Sequence, residues 1–384
     1  MLILNRSYPQ NSETLKPEFS SMTKSTTPPL ISLGLPGYYY EDNEVFAHEM
    51  RTLWRSTWQC VGREEALPNP GDYLTCVIGN QPLFVIRDAS GELQAMHNVC
   101  PHRGARLLYG QGNCSLVRCP YHGWTFDLEG KLQGIRQAKL FPDLDKSKVR
   151  LLSAQVDTWG GFIFVNCDSQ GESLMSYLAG FPEYLKQYDQ PWEELGLVVN
   201  WSYSEPINWK FIVENYVEDY HFSPVHAESL RSFDFQGIST TTTGRHCEIR
   251  VPYTAEALAS KYSALTWEPQ SLSYQGYIFP NLMVNTGLDH VSVFRLLPLS
   301  PVSTHIEVLI YQTKAQMEAF PLDPDAFQSK YHRVMEEDFA VCRLLQANVH
   351  SLAYGVTKLA EERELGITHF YKVLSEYLEV PKVH

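Results

Sequence analysis

Short apolar runs separated by turn residues dominate the first half of the chain. Tyr73–Ile78, Pro82–Ile86 and Leu93–Met96 are rich in β-branched, aromatic or aliphatic residues, and Gly71, Gly79-Asn80 and Asp88-Ala89-Ser90-Gly91 punctuate them. Runs of this length bounded by Gly, Asn and Asp predict strands joined by hairpins. Val156–Asn166, which contains Trp159-Gly160-Gly161, predicts the close of the same all-β region, running from Leu35 to about Cys167.

After Asp168 the period lengthens. Trp209, Ile212, Val213, Tyr216 and Tyr220 recur at helical spacing and predict an amphipathic helix over Asn208–His221. His290–Leu296 and His305–Tyr311 read as strands, with Ile306, Val308 and Ile310 on one face, and Asp325–Leu352 reads as a long helix. Strands bounded by helices, without βαβ alternation, imply an α+β fold. Two parts are expected, residues 35–167 and 168–384. Residues 1–30, rich in Ser, Thr, Pro and Asn, are expected to form a disordered tail, with Met1 and Met22 both candidate starts.

The 384 residues are 44% apolar and 20% charged, an ordinary globular composition in a chain longer than a single core usually supports. Acids outnumber bases 44 to 31, giving a net charge of −13 with no dense Lys/Arg tract, so nucleic acid and anionic membranes are poor partners. No run approaches the roughly 20 apolar residues of a membrane helix. Eight cysteines are too few for a disulfide scaffold, and no basic segment leads into an apolar one at the N-terminus. A reducing, cytoplasmic setting is the expectation. A plastid stroma is the alternative if the tail is a transit peptide, against which Glu13 and Glu18 count.

Two clusters carry candidate chemistry. The first is Cys100-Pro101-His102-Arg103-Gly104 followed by Cys119-Pro120-Tyr121-His122-Gly123-Trp124, a C-x-H and a C-x-x-H pair separated by sixteen residues. Two thiolates and two imidazoles suit tetrahedral zinc. They equally suit a Rieske [2Fe–2S] centre, in which cysteines hold one iron and histidines the other. Zinc ribbons and fingers usually pair like with like, whereas each loop here supplies one Cys and one His. Gly104 and Gly123 are expected to let the backbone approach the sulfurs. Cys114 lies outside the pattern.

The second cluster is Glu218, His221, His226 and Asp338. Glu218 and His221, three apart, are expected on one helix face, while His226 would be rotated about 140° from His221 on an ideal helix. Pro224 disfavours helix at Ser223 and lets the chain turn so that His226 swings back. A two-histidine iron site with open positions needs a carboxylate. Asp338 is the candidate, because it sits in the stripe Tyr331, Val334, Asp338, Val341, Leu345, where a carboxylate must find a cation or strong donors. Glu336 and Glu337 fall toward other faces and are expected to meet solvent.

C-P-H-R-G with C-P-Y-H-G-W resembles the Rieske motif of ring-hydroxylating and related non-haem iron oxygenases. Ala105 and Tyr121 stand where respiratory and photosynthetic Rieske proteins carry an additional pair of cysteines. N-W-K-F-I-V-E-N-Y-V-E-D-Y-H-F-S-P-V-H resembles the catalytic motif of these oxygenases, and E-D-F-A-V-C-R-L-L-Q their later aspartate-bearing segment. The resemblance spans nearly everything from Leu35 onward. Within the family it is strongest to the choline monooxygenase-like, quaternary-ammonium branch, through N-x-C-x-H-R-G, F-x-H-E-M-x-x-L-W-R-S-T-W, Q-A-K and G-I-T-H-F.

The resemblance implies a small all-β Rieske domain and a catalytic domain with a curved antiparallel sheet and helices, of helix-grip, START-like form. It implies one [2Fe–2S] cluster on Cys100, His102, Cys119 and His122, and one mononuclear Fe(II) on His221, His226 and Asp338. Glu218 then occupies the place of an acid that bridges the two centres between neighbouring chains of a homotrimer, with Asp219 as the fallback. Electrons would come from NAD(P)H through a separate reductase or ferredoxin. The expected reaction is hydroxylation or N-demethylation of a small quaternary ammonium compound such as choline or a betaine. Aromatic faces would hold such a cation, and Tyr274, Tyr277 and Phe279 are candidates. Aromatic-ring hydroxylation is the alternative, and a pure electron-transfer Rieske protein is disfavoured by the second cluster and the extra length.

Overall fold

The strands that the first apolar runs predict are present in the computed structural model, which describes residues 34–185, 191–261, 272–287, 289–354 and 358–378. The expected tail, residues 1–30, and both candidate starts lie outside the described residues. One seven-stranded antiparallel sheet has the spatial order Gln59–Arg63, Phe162–Asn166, Ser153–Trp159, Leu93–His97, Gln81–Arg87, Asp72–Ile78 and Gln111–Asn113. A three-stranded sheet of Val117–Arg118, Thr125–Phe126 and Leu132–Gly134 lies between these strands in sequence. It carries the second Cys/His loop.

A second seven-stranded antiparallel sheet comprises β1 (Gly196–Glu205), β2 (Ser239–Thr243), β3 (His246–Pro252), β4 (Leu272–Ile278), β5 (Leu282–Thr286), β6 (Val291–Ser300) and β7 (Ser303–Gln312). Strands β2 to β7 pair in sequence order and β1 closes against β7, giving the order β1-β7-β6-β5-β4-β3-β2. In β7 the residues Ile306, Val308 and Ile310 are all fully buried, as their alternation requires. The architecture is α+β.

Five helices matter to the site: α1 (Asn43–Thr52), α2 (Trp209–Tyr216), the single turn α3 (Phe222–Val225), α4 (Pro324–Asn348) and α5 (Leu365–Leu374). The long helix α4 lies against β1 and α2. Tyr203 of β1 meets Phe339 edge-on at 5.2 Å, Arg343 bonds Glu205 at 2.7 Å, and the Cys342 thiol donates to the Phe211 carbonyl. Residues of both sheets share one core, in which Trp58, Cys60, Phe162 and Phe164 pack with Tyr274, Leu282, Val291 and Tyr311.

The segment before the first sheet buttresses α2. Glu49 of α1 bonds Lys210 Nζ at 2.6 Å and accepts from Trp209 Nε1 at 2.9 Å, with both charged side chains fully buried. Such a pair stabilises only when its remaining hydrogen-bonding capacity is filled, and the Trp209 indole and the Tyr40 and Trp209 rings near the ammonium help fill it. Tyr40 also stacks on Phe211, with centroids 3.9 Å apart, and donates to Glu214 Oε1 at 2.7 Å.

Burial pushes the Glu214 carboxyl up from 4.5 to about 8, against the opposing pull of the Tyr40 hydroxyl and the Lys210 charge. Between those two values the folded protein holds a proton that the unfolded chain has released, so stability falls as pH rises through that window. Glu214→Gln, which keeps an acceptor for Tyr40 and has no proton to lose, should raise the melting temperature at pH 9 by roughly 2–4 °C per kcal/mol recovered. It should give little gain at pH 5; calorimetry showing equal differences at both pH values would remove the argument.

Candidate metal centres

The two Cys/His loops are built alike. The Cys100 N–H donates to the Ala105 carbonyl at 2.8 Å and Gly104 N–H returns to the Cys100 carbonyl at 2.9 Å. In the second loop Cys119 N–H donates to Trp124 at 2.8 Å and Gly123 N–H returns to Cys119 at 3.0 Å. Each glycine sits four residues after its cysteine with positive φ, +76° at Gly104 and +71° at Gly123, a conformation costly for any residue with a Cβ. A Cβ at either position would meet no protein atom within 4 Å, so backbone conformation, rather than crowding within the chain, is the visible reason for glycine.

These loops bring the four side chains together. Cys100 and Cys119 are buried, at 1% and 2% exposure, and burial followed by the neighbouring Cys119 thiol pushes the Cys100 thiol up. The His102 and His122 rings lie 4.6 Å apart, and His102 stacks on Trp124 at 4.7 Å. Both Nδ1 atoms are buried and have no hydrogen-bond partner among the described residues. Two converging thiols and two unpaired imidazole nitrogens fit a cluster bound by two cysteines and two histidines. All eight cysteines are described and all are free thiols. Cys114 is a half-buried packing residue.

In the second cluster the structure departs from the expected helix. The helix α2 begins at an Asn208 cap, whose side chain accepts from Lys210 N at 2.9 Å, and stops at Tyr216 instead of continuing to His221. Glu218 is the reason on the C-terminal side: its carboxylate accepts the backbone N–H groups of Tyr220 and His221, a local bond that competes with helix. The same carboxylate contacts His221 Nδ1 and is buried rather than solvated. Helix α5 fixes this turn from behind. A Cβ on Gly366 would lie 2.0 Å from the Val217 carbonyl oxygen, so only glycine permits the approach.

His221 and His226 flank α3 and turn their Nε2 atoms toward Asp338 of α4, at 3.4 and 2.8 Å from Oδ1. The three ligand atoms lie within 4.8 Å of one another. Burial pushes the Asp338 carboxyl up, but the two imidazoles outweigh it and hold it below its usual range. Burial likewise opposes charge on His221, yet Asp338 and Glu218 raise it to about 9. Two imidazole nitrogens and one carboxylate converging in a half-open site form the donor set of non-haem iron. Asp219, the fallback for Glu218, accepts from Arg363 Nη1 at 2.6 Å through Oδ2, while its buried Oδ1 has no hydrogen-bond partner among the described residues.

The family model for the ring hydroxylating alpha subunit (catalytic domain) matches residues 192–380, and that for the Rieske [2Fe-2S] domain matches residues 57–145. The chain is a Rieske oxygenase alpha subunit. It is 28% identical to the carnitine monooxygenase oxygenase subunit of Acinetobacter baumannii, over 91% of this chain and 96% of that one. It is also 28% identical to the glycine betaine monooxygenase oxygenase subunit of Chromohalobacter salexigens, over 91% and 88%. A solved quaternary ammonium Rieske monooxygenase, studied for carnitine oxidation and inter-subunit electron transfer, superposes with a TM-score of 0.77 at 26% identity, covering 90% of this chain and 95% of that one. The oxygenase thus has a Rieske [2Fe–2S] domain and a mononuclear-iron catalytic domain, is related to quaternary ammonium monooxygenases, and requires a reductase partner. None of its described helices is long and apolar enough to cross a membrane.

The triad of this oxygenase opens into a cavity of about 200 Å³, below the roughly 300–1,000 Å³ of pockets for drug-sized ligands. Its wall includes the aromatic residues Tyr216, Phe222, Phe233, Tyr253, Phe294 and Tyr331, with Asn215, Ser229, Gln275, Asn285 and Asp289 among the polar ones. Tyr274, Tyr277 and Phe279, the candidates for holding a cation, do not line it. Tyr274 points into the core shared by the two sheets, on the face of β4 opposite the cavity-lining Ser273 and Gln275, and Tyr277 and Phe279 pack on Phe370 of α5. In the expected α4 stripe, Tyr331, Val334 and Asp338 do face the cavity, but Leu345 is 41% exposed and the buried positions farther along are Phe339 and Cys342. Glu337 also departs from expectation. It turns to His226 Nδ1, 2.9 Å away, rather than to solvent.

Proposed function

We propose that this oxygenase inserts oxygen into a small quaternary ammonium substrate, such as choline, carnitine or a betaine, in the cavity beside His221, His226 and Asp338. The observation that carries this reading is the wall of that cavity. Six aromatic residues and the Asp289 carboxylate line a space only about 200 Å³ in size. Each well-placed aromatic face contributes about 0.5–2 kcal/mol to holding a cation. Relatives at 28% identity act on carnitine and glycine betaine, which supports the same class here.

In this reading residues 35–167 are the Rieske domain and 168–384 the catalytic domain. Cys100, His102, Cys119 and His122 hold the cluster, and His221, His226 and Asp338 hold iron. When bound, the cluster relays single electrons and the iron activates dioxygen. The chain's own groups do the rest. Trp124 and Phe141 pack around His102, Glu218 orients His221 through Nδ1, and the apolar wall excludes bulk water from the reacting carbon. Hydroxylation at a carbon bonded to nitrogen gives a product that falls apart to an aldehyde and an amine; hydroxylation elsewhere gives a stable alcohol or a hydrate.

Glu218 is the bridging acid of this reading, within a homotrimer that sets one chain's cluster beside its neighbour's iron. Two exposed aromatics support it: Tyr121, 57% exposed in the second cluster loop, and Tyr220, 65% exposed beside Glu218. Large exposed apolar side chains next to both centres are what an interface would cover. Bacterial relatives and cysteines that form no disulfide suit a cytoplasmic setting.

Two measurements test the proposal. A panel of choline, carnitine, betaines and simple aromatics, assayed with a surrogate reductase for oxygen use and product together, should give coupled product only with quaternary ammonium compounds; coupled product from an aromatic alone contradicts it. Glu218→Gln should keep both metals while coupled turnover drops roughly 10- to 100-fold. Turnover at the wild-type rate would reject the bridging role.

A further inference from the structure

Each histidine of the triad presents Nε2 to Asp338 and has a carboxylate at its other nitrogen. For His221 that partner is Glu218, three residues away. For His226 it is Glu337, 111 residues away on α4, with Oε2 at 2.9 Å from Nδ1. The Glu337 carboxylate is itself held on both sides. Ser229 Oγ donates to the same Oε2, and Arg333 Nε, one helical turn back, lies 3.4 Å from Oε1. Its side chain is 25% exposed, whereas that of His226 is 1% exposed.

That burial gives the contact its force. A neutral imidazole carries its hydrogen on one ring nitrogen and its lone pair on the other, and only the nitrogen with the lone pair binds a metal. A surface histidine interconverts its tautomers through water; at 1% exposure His226 depends on its partners to choose. Glu337 and Asp338 are both acceptor-only when ionised, and they face Nδ1 and Nε2 at 2.9 and 2.8 Å. When a cation takes the place of a hydrogen between Nε2 and Asp338, Glu337 keeps the remaining hydrogen on Nδ1 and so leaves the Nε2 lone pair to the metal. Because Glu337 directly precedes Asp338 on α4, one helix supplies both the metal-binding carboxylate and the group that orients an opposing imidazole.

We propose that Glu337 is a positioning residue for the mononuclear metal, locking His226 in the tautomer and rotamer that bind through Nε2. This rests on the reading of His221, His226 and Asp338 as the metal site. Glu337 differs from Glu218 in what it serves: it acts on metal retention rather than on electron entry, since it approaches the triad from α4 and not from the Tyr220 side.

The test is Co(II) titration of the full-length, cluster-loaded protein after a chelator has removed its mononuclear metal, followed by the visible ligand-field bands of bound Co(II). Glu337→Ala should weaken binding roughly 10- to 100-fold and alter those bands, while the cluster absorption stays as in wild type. Glu337→Gln, which still offers an oxygen to Nδ1–H, should recover most of the affinity. If the Ala protein does not fold, Glu337→Asp serves in its place, because it keeps the charge on α4 but withdraws it from His226 by one methylene. Wild-type affinity in the Ala or Asp protein, or a Gln protein no better than Ala, overturns the proposal. The metal-site reading fails separately, and is recognised by wild-type protein that binds no Co(II) or by His226→Ala binding it unchanged.

Discussion

The catalytic half depends on one constraint: two imidazoles, one buried and one largely so, must each aim Nε2 at the same carboxylate. An imidazole in a protein interior does not hold such an orientation unaided, because either ring nitrogen can carry the hydrogen and water is not there to exchange it. The fold meets the constraint with carboxylates behind both rings, Glu218 for His221 and Glu337 for His226, and with Asp338 in front of both. The elements around the site serve that arrangement. Asn208 starts α2, Glu218 replaces its continuation with a turn by taking two backbone N–H groups, and Gly366 lets α5 press against Val217. Arg363 pins the turn through Asp219.

The same logic links the two halves of the chain. The cluster loops need little beyond themselves, since each closes on its own backbone through paired hydrogen bonds around a positive-φ glycine. The iron half borrows from the segment that precedes the first sheet. Glu49 neutralises the fully buried Lys210, and Tyr40 packs on Phe211 and bonds Glu214, so α2 is clamped by residues about 160–175 positions earlier. With core residues of both sheets in one cluster, movement of either half would be felt by the other.

How much of this was legible in sequence follows from how local each feature is. The four cluster residues fall between Cys100 and His122, and their spacing alone reduced the choice to zinc or a Rieske centre. The hairpin strands over residues 72–97 and the buried face of β7 followed from period and punctuation. Helical period overran at α2 because Tyr220 happens to continue the stripe while a side-chain bond from Glu218 ends the helix. Asp338 was recognisable as a carboxylate among apolar residues. Its neighbour Glu337 was not, because the contact that gives it meaning crosses 111 residues and leaves no local mark. Tyr274 misled for a related reason: a strand's alternation separates two faces without saying which one fronts a cavity, and Tyr274 is on the face opposite Ser273 and Gln275.

That one chain holds two distinct iron centres can be checked by iron and acid-labile sulfide content measured together in wild-type and His221→Ala protein. The wild type should hold about three irons and two sulfides per chain, and the variant should lose one iron with no loss of sulfide. Two irons in the wild type, unchanged by the substitution, would contradict it.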